Sequence, residues 1–138
     1  VGELQQFATP EELYRRPATT FAAGFVGHPP MNLLAGNFGG GEFIADGLRI
    51  PLGRAVPEGP GHLGIRPEDA HLRGSIRGRV VLVESLGRQA LVTLALNGVQ
   101  AKVVVDGASR PALATEAHLG YDPAALHLFD ATGKRIEA

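Results

Sequence analysis

The chain has 138 residues and a mass of 14.5 kDa, the size of one domain. Its 44% hydrophobic and 20% charged residues exclude wholesale disorder, and the absence of cysteine excludes disulfides, Cys zinc sites, iron–sulfur clusters and thiol catalysis. Thirteen Lys and Arg against fourteen Asp and Glu leave a formal charge of −1, without the positive field of nucleic-acid binders, and six Phe, two Tyr and no Trp leave few platforms for base stacking. No apolar run is long enough to cross a bilayer as a helix, and the first residues show no basic segment followed by an apolar one.

The first predicted element is a helix opened by Thr9-Pro10-Glu11-Glu12, with Thr9 as N-cap, Pro10 in the first turn and Glu12 closing a capping box. It stops before Pro17, which opens a second short helix carrying Phe21 and Phe25 one turn apart, and Gly27 ends that helix ahead of Pro29-Pro30. From Met31 onward the pattern changes to short strands and turns. Strands are predicted at Asn32–Phe38 and Glu42–Ile44, around Gly39-Gly40-Gly41, and at Leu48–Leu52; Val56–Gly61 reads as a turn-rich connection. Further strands follow at Arg79–Leu86, Gln89–Leu96 and Val99–Val105. Asn97-Gly98 between the last two is the strongest short hairpin signal, because both central residues must take positive φ.

The segment 62–72 is echoed at 118–128: His62, Leu63, Gly64, Pro67, His71 and Leu72 recur as His118, Leu119, Gly120, Pro123, His127 and Leu128. Each copy reads as strand, proline turn, strand. Short strands with Gly/Pro turns and no βαβ rhythm argue for a mainly-β fold, a small barrel or sandwich of antiparallel strands preceded by two short helices.

The residues that invite chemistry have plainer readings. The cluster Gly36-Asn37-Phe38-Gly39-Gly40-Gly41 is followed by Glu42 and Phe43, where a phosphate loop needs Lys and Ser or Thr, so it reads as a β-turn. His28, His62, His71, His118 and His127 show no His-x-His or His-x-x-x-His spacing, and four of them precede leucine in strand-like segments. Ser85 lacks the first glycine of a nucleophile elbow. Arg66-Pro67-Glu68-Asp69 reads equally as a rigid recognition turn or as a solvated turn with a local ion pair. Arg77, Arg79 and Arg88 form a thin basic patch on a strand.

Several runs, in order, resemble the tail of ABC transporter ATP-binding subunits, closest to the sugar importers (maltose, trehalose, glycerol-3-phosphate). They are Gly2-Glu3-Leu4-Gln5-Gln6, Thr9-Pro10-Glu11-Glu12-Leu13-Tyr14-Arg15-Arg16-Pro17, Phe21-Ala22-Ala23-Gly24-Phe25-Val26-Gly27 and Met31-Asn32-Leu33-Leu34. The match continues through Leu63-Gly64-Ile65-Arg66-Pro67-Glu68-Asp69 and Leu126-His127-Leu128-Phe129-Asp130.

The resemblance implies that residues 1–30 are the end of a nucleotide-binding domain and a helical hinge. Residues 31–138 would then be a regulatory domain of the transport-associated, oligonucleotide/oligosaccharide-binding-like (OB-like) type. The family's Walker A lysine, signature, Walker B acids and switch histidine are absent from this sequence. The chain itself is therefore expected to be no enzyme and to need no cofactor, with ATP and Mg belonging to the full-length parent. Expected partners are a second copy of the subunit, the membrane subunits reached through the nucleotide-binding domain, and a regulatory protein, with no nucleic acid. The expected location is the cytoplasmic face of the plasma membrane. By residue matching, Gly64, Ile65, Arg66, Pro67 and Glu68 are the candidate contact with a second subunit or regulator. The alternative reading is a stand-alone oxyanion (molybdate or tungstate) binder using Ser85, Arg88 and Lys102.

Overall fold

A computed structural model describes Thr19 and residues 29–136; the two helices expected before Pro29 lie outside the described residues. Among these residues the fold is mainly β, as expected, with nine strands: β1 Asn32–Gly39, β2 Glu42–Ala45, β3 Leu48–Pro51, β4 Gly59–Ile65, β5 Ala70–Leu86, β6 Gln89–Leu96, β7 Val99–Asp106, β8 Glu116–Tyr121 and β9 His127–Asp130. They form two antiparallel sheets, ordered β3-β2-β1-β4-β9 and β7-β6-β5-β8. Single 3-10 turns stand at Pro67–Asp69, Gly107–Ser109 and Pro123–Ala125.

Three two-residue turns set the local register. Gly40 and Gly41 both take positive φ between β1 and β2, so the glycine cluster is a hairpin turn. Asp46 and Gly47 do the same between β2 and β3, and Asn97 (φ 51°) and Gly98 (φ 98°) between β6 and β7. Two positive φ values match the right-handed twist of the paired strands. The Asn97 side-chain amide donates to the carbonyl of Asp46 at 3.1 Å, tying the tips of two hairpins from different sheets together.

The internal echo is structural. Each copy is strand, 3-10 turn, strand, and the copies interlock: β4 pairs with β9 and β5 with β8. Leu63 faces Leu128 in the first pair and Ala70 faces Tyr121 in the second, a shared register that makes the unit locally two-fold. The copies part at the residue before the proline. Asp122 caps its turn by accepting from the amide of Ala124 at 2.9 Å, whereas Arg66 makes no such cap and turns inward, 1% exposed.

Two sequence expectations need correction. Val56–Gly61 is not wholly a connection, because β4 begins at Gly59, and β5 begins at Ala70, well before Arg79. Two glycines of the first sheet, Gly36 and Gly61, lie beneath aromatic rings. Gly61 stands directly opposite Gly36; a Cβ on Gly61 would meet the ring of Phe38 at 2.6 Å, and one on Gly36 the ring of Phe43 at 2.7 Å. The two rings sit 5.2 Å apart, tilted by 57°, within the range of favourable aromatic contacts. In β5, register shifts between Arg73 and Ile76 and between Val80 and Leu82 let one strand serve β8 and then β6.

The core draws on both sheets. Phe43, Leu63 and Leu128 from one and Val80, Val92, Leu94, Leu96 and Val103 from the other are at most 1% exposed. Each such side chain contributes about 1.5–3 kcal/mol of transfer free energy. A satellite of Met31 and Phe129, with Leu33 against it, stands apart from this core. Asn32 joins the sheets: its side-chain oxygen accepts from the Lys102 amide at 2.7 Å, and its nitrogen donates to the carbonyls of Lys102 (2.8 Å) and Ile65 (3.1 Å). The side-chain amide thus acts as a strand edge for β7, which has no neighbouring strand on that side of its sheet among the described residues.

Candidate functional site

The turn between β4 and β5 carries the five residues expected to contact a partner, and the fold divides them. Gly64, Ile65, Arg66 and Pro67 are buried; Glu68, with the adjoining Asp69, is exposed. Gly64 is buried because it lies opposite His127 with the Met31 sulfur against it. Arg66 leads into the 3-10 turn, its carbonyl accepting from the Asp69 amide at 2.9 Å. Burial lowers the Arg66 guanidinium from its ordinary value and the nearby Asp69 charge opposes this. Partial desolvation raises the Glu68 carboxyl; a backbone N–H opposes the rise and Asp69 adds to it. The first four residues thus shape the turn from within, and Glu68 with Asp69 forms its outward surface.

Glu68 also lines an open groove of about 790 Å³ on the outer face of the four-stranded sheet. Its apolar lining includes Leu86 of β5, Leu91 of β6 and Val104 of β7; its charged lining includes Glu84 and Lys102. The register explains the grouping. Glu84 faces Leu91, Leu91 faces Val104, and Thr93 lies between Leu82 and Lys102. Directly opposed residues share a face of a sheet, so Leu82, Glu84 and Leu86 stand on the face of Leu91, opposite the core face of Val92 and Leu94. Leu82 and Leu86 are 45% and 42% exposed. The sequence reading missed Glu84 as a groove residue. The Asn97-Gly98 hairpin was enough to place Lys102 beside Thr93, but the shift between Val80 and Leu82 in β5 has no sequence marker.

The TOBE domain family model matches residues 63–129, from the middle of β4 to β9. The matched segment is similar to a TOBE domain. Over 98% of its length it is also similar to sn-glycerol-3-phosphate import ATP-binding proteins UgpC, 45% identical over 143 residues to that of Ruegeria pomeroyi and 39% over 145 residues to that of Rhizobium meliloti, covering 40% of each relative. Over 94% of the chain it is 37% identical to the xylose/arabinose import ATP-binding protein XacK of Haloferax volcanii, covering 38% of that relative. The resemblance to the tail of sugar-importer ATP-binding subunits therefore extends over nearly the whole chain, and the chain spans about two fifths of the length of the curated relatives it matches.

Other positions in and around the matched segment carry less. Ser85, Arg88 and Lys102 are not brought together: Ser85 pairs with Ala90 on the core-side face, Lys102 pairs with Thr93 on the outer face, and Arg88 lies in the turn. The Ser85 hydroxyl accepts from the Gly87 amide at 3.3 Å. His62, His71 and His118 are half-buried on strands and His127 is buried beside Arg135, its Nδ1 3.0 Å from that guanidinium. No group of three or more His, Asp or Glu among the described residues is arranged to hold a metal ion. No helix among them is long and apolar enough to cross a membrane.

Proposed function

We propose that this chain is the non-catalytic, regulatory end of the ATP-binding subunit of a carbohydrate importer, where it holds two subunits together and receives regulatory contacts. The observation that carries the reading is similarity over 98% of the chain to import ATP-binding proteins, together with the TOBE domain match over residues 63–129. In the full-length subunit, ATP and Mg are used by the portion upstream of this chain, which also meets the membrane subunits at the cytoplasmic face. The physical logic is a pivot: a rigid β-domain joined to a domain that opens and closes gives the moving parts a fixed contact. The interlocked two-fold pairing of β4, β5, β8 and β9 supports such rigidity.

Two measurements on the chain test this. Sedimentation equilibrium should show reversible self-association, and Mg-ATP should leave the melting temperature unchanged, since a ligand that binds the folded state raises it. A Mg-ATP-dependent rise, or a strictly monomeric chain at millimolar concentration, would overturn the proposal.

A further inference from the structure

We propose that the open edge of β5 at residues 81–86 takes an extended segment of a different protein as an added antiparallel strand, one with a basic residue between two apolar ones. The inference rests on the regulatory-contact reading above and gives that contact a place and a chemistry. Pairing of β5 with β8 ends at Arg79, and Val80 makes the last bonds on that side, with Thr115 (2.9 Å) and Ala114 (2.8 Å). Beyond that point β5 is paired on one side only, with β6. The two-residue Gly87-Arg88 turn makes Leu86 and Gln89 a bonded pair, so Leu82, Glu84 and Leu86 bond to β6 while Val83 and Ser85 direct their backbone N–H and C=O groups outward. Among the described residues nothing bonds to those outward groups. Val81, Leu82, Glu84, Ser85 and Leu86 are exposed, whereas Leu91 and Thr93, at the centre of the outer face, are buried. The accessible surface is therefore the edge and not the face. The exposed large hydrophobic side chains among the described residues, Val81, Leu82, Leu86 and Leu113, all border it. Unpaired backbone beside apolar side chains is complemented by another strand.

Glu84 selects the strand. It is the one charged residue from Val81 to Leu86 and forms no ion pair among the described residues. An antiparallel strand bonded to both Val83 and Ser85 sets one residue directly opposite Glu84, in the pair type where side chains stand closest. The residues two positions to either side of it then lie opposite Leu82 and Leu86. A second copy of β5 in this register is two-fold about residue 84 and brings two Glu84 carboxylates face to face, which is unfavourable. A segment that reads apolar-x-basic-x-apolar instead sets an opposite charge at the centre and apolar contacts on both flanks. The edge thus rejects its own copy and accepts a foreign strand of that pattern.

The probe is the acetylated and amidated heptapeptide Thr-Val-Thr-Lys-Thr-Val-Thr, titrated into the intact chain with backbone amide NMR as the readout. The Val83 and Ser85 amides should shift and gain protection from hydrogen exchange, while the Ile50 amide of the other sheet should not. Changing the peptide lysine to glutamate, or Glu84→Lys in the chain, should each weaken binding about fivefold. The two changes together should restore it, because the pair is re-formed with opposite sense. Glu84 is exposed, so its substitution leaves the core untouched. N-methylation of both threonines that flank the peptide lysine removes the bonds to Val83 and Ser85 and should abolish binding, whereas a contact through side chains alone would survive it. Binding indifferent to N-methylation, lysine and glutamate peptides bound alike, or no shift at Val83 and Ser85 with millimolar peptide overturns the proposal. Shifts at those amides that follow chain concentration without peptide assign the edge to a second copy and overturn it as well. Each of these results leaves the regulatory-end reading standing, since sedimentation and the response to Mg-ATP decide that separately.

Discussion

Gly64 lies directly opposite His127 across β4 and β9. Its repeat equivalent Gly120 lies directly opposite His71 across β8 and β5. Each copy of the echo therefore supplies a glycine over which the other copy packs. The two sites differ in what fills them. A Cβ on Gly64 would stand 2.5 Å from the Met31 sulfur and 3.3 Å from the His127 Cβ, whereas one on Gly120 would run into the His71 ring and the backbone of Gly74, whose Cα is 2.8 Å away. A thioether can swing aside; the Gly74 backbone, in the irregular part of β5, cannot. Gly120→Ala is expected to cost about 2–3 kcal/mol and Gly64→Ala about 1 kcal/mol. Urea unfolding of the two variants checks the order, and equal midpoints would contradict it.

Asn32 supplies a side chain where β7 needs a strand. Asn32→Ala removes two hydrogen bonds that bridge the sheets, to Lys102, and one within its own sheet, to Ile65, and should lower stability by about 1–3 kcal/mol. Asn32→Asp should be no better. One carboxylate oxygen still accepts from the Lys102 amide, but the other faces the carbonyls of Lys102 and Ile65 with no proton to give. Denaturant titration of both variants measures this, and an aspartate variant as stable as the parent would refute the account.

Asn97-Gly98 does two jobs, setting the β6–β7 register and tying that hairpin to the Asp46 turn. Asn97→Ala puts a residue that disfavours positive φ at 51° and deletes the bond to Asp46, for an expected loss of about 1–2 kcal/mol. The melting temperature should fall by several degrees. Retention of the parent's melting temperature would show that neither contribution matters.

Asp130 ends β9 by accepting from the Thr132 hydroxyl at 2.6 Å, the Thr132 amide at 2.9 Å and the Lys134 amide at 3.0 Å. The Thr132 side-chain bond first, and then the Lys134 amide, hold its carboxyl below the usual carboxylate range. The folded value lies below the unfolded one. The stabilisation is therefore fully present above about pH 4 and is lost as pH falls through the lower folded value. Asp130→Asn should flatten the loss of stability on acidification and leave the neutral-pH slope unchanged. Thermal melts of parent and variant across the acid range decide it; parallel curves would show that Asp130 plays no part.

Much of this fold was legible where the signal is local. The Asn97-Gly98 hairpin, the Gly40-Gly41 turn and the strand–proline turn–strand echo all depend on residues adjacent in the chain, and all stand where the sequence placed them. The start of β4 at Gly59 was not legible, because Gly61 is held in a strand by the Phe38 ring reaching across from β1. The length of β5 was hidden for a related reason: Gly74 and Ser75 fall in an irregular stretch where the register shifts, and β8 pairs with β5 on either side of it. At the candidate site, the resemblance located the turn at residues 64–68, but which of those side chains faces outward is decided by Met31, His127 and the strands packed around Arg66.

The sequence by itself determined the β class, the kinship with importer ATP-binding subunits and the turn chemistry, because composition, motif order and positive-φ residues act over a few positions. Only the tertiary structure decided that Arg66 is buried while Glu68 is not, that Asn32 completes an edge seventy residues away, and that Glu84 and Lys102 flank one apolar face. Those outcomes depend on strand register and on which face each strand turns to the core. A shift of one residue reverses every side chain, and long-range pairing sets that register.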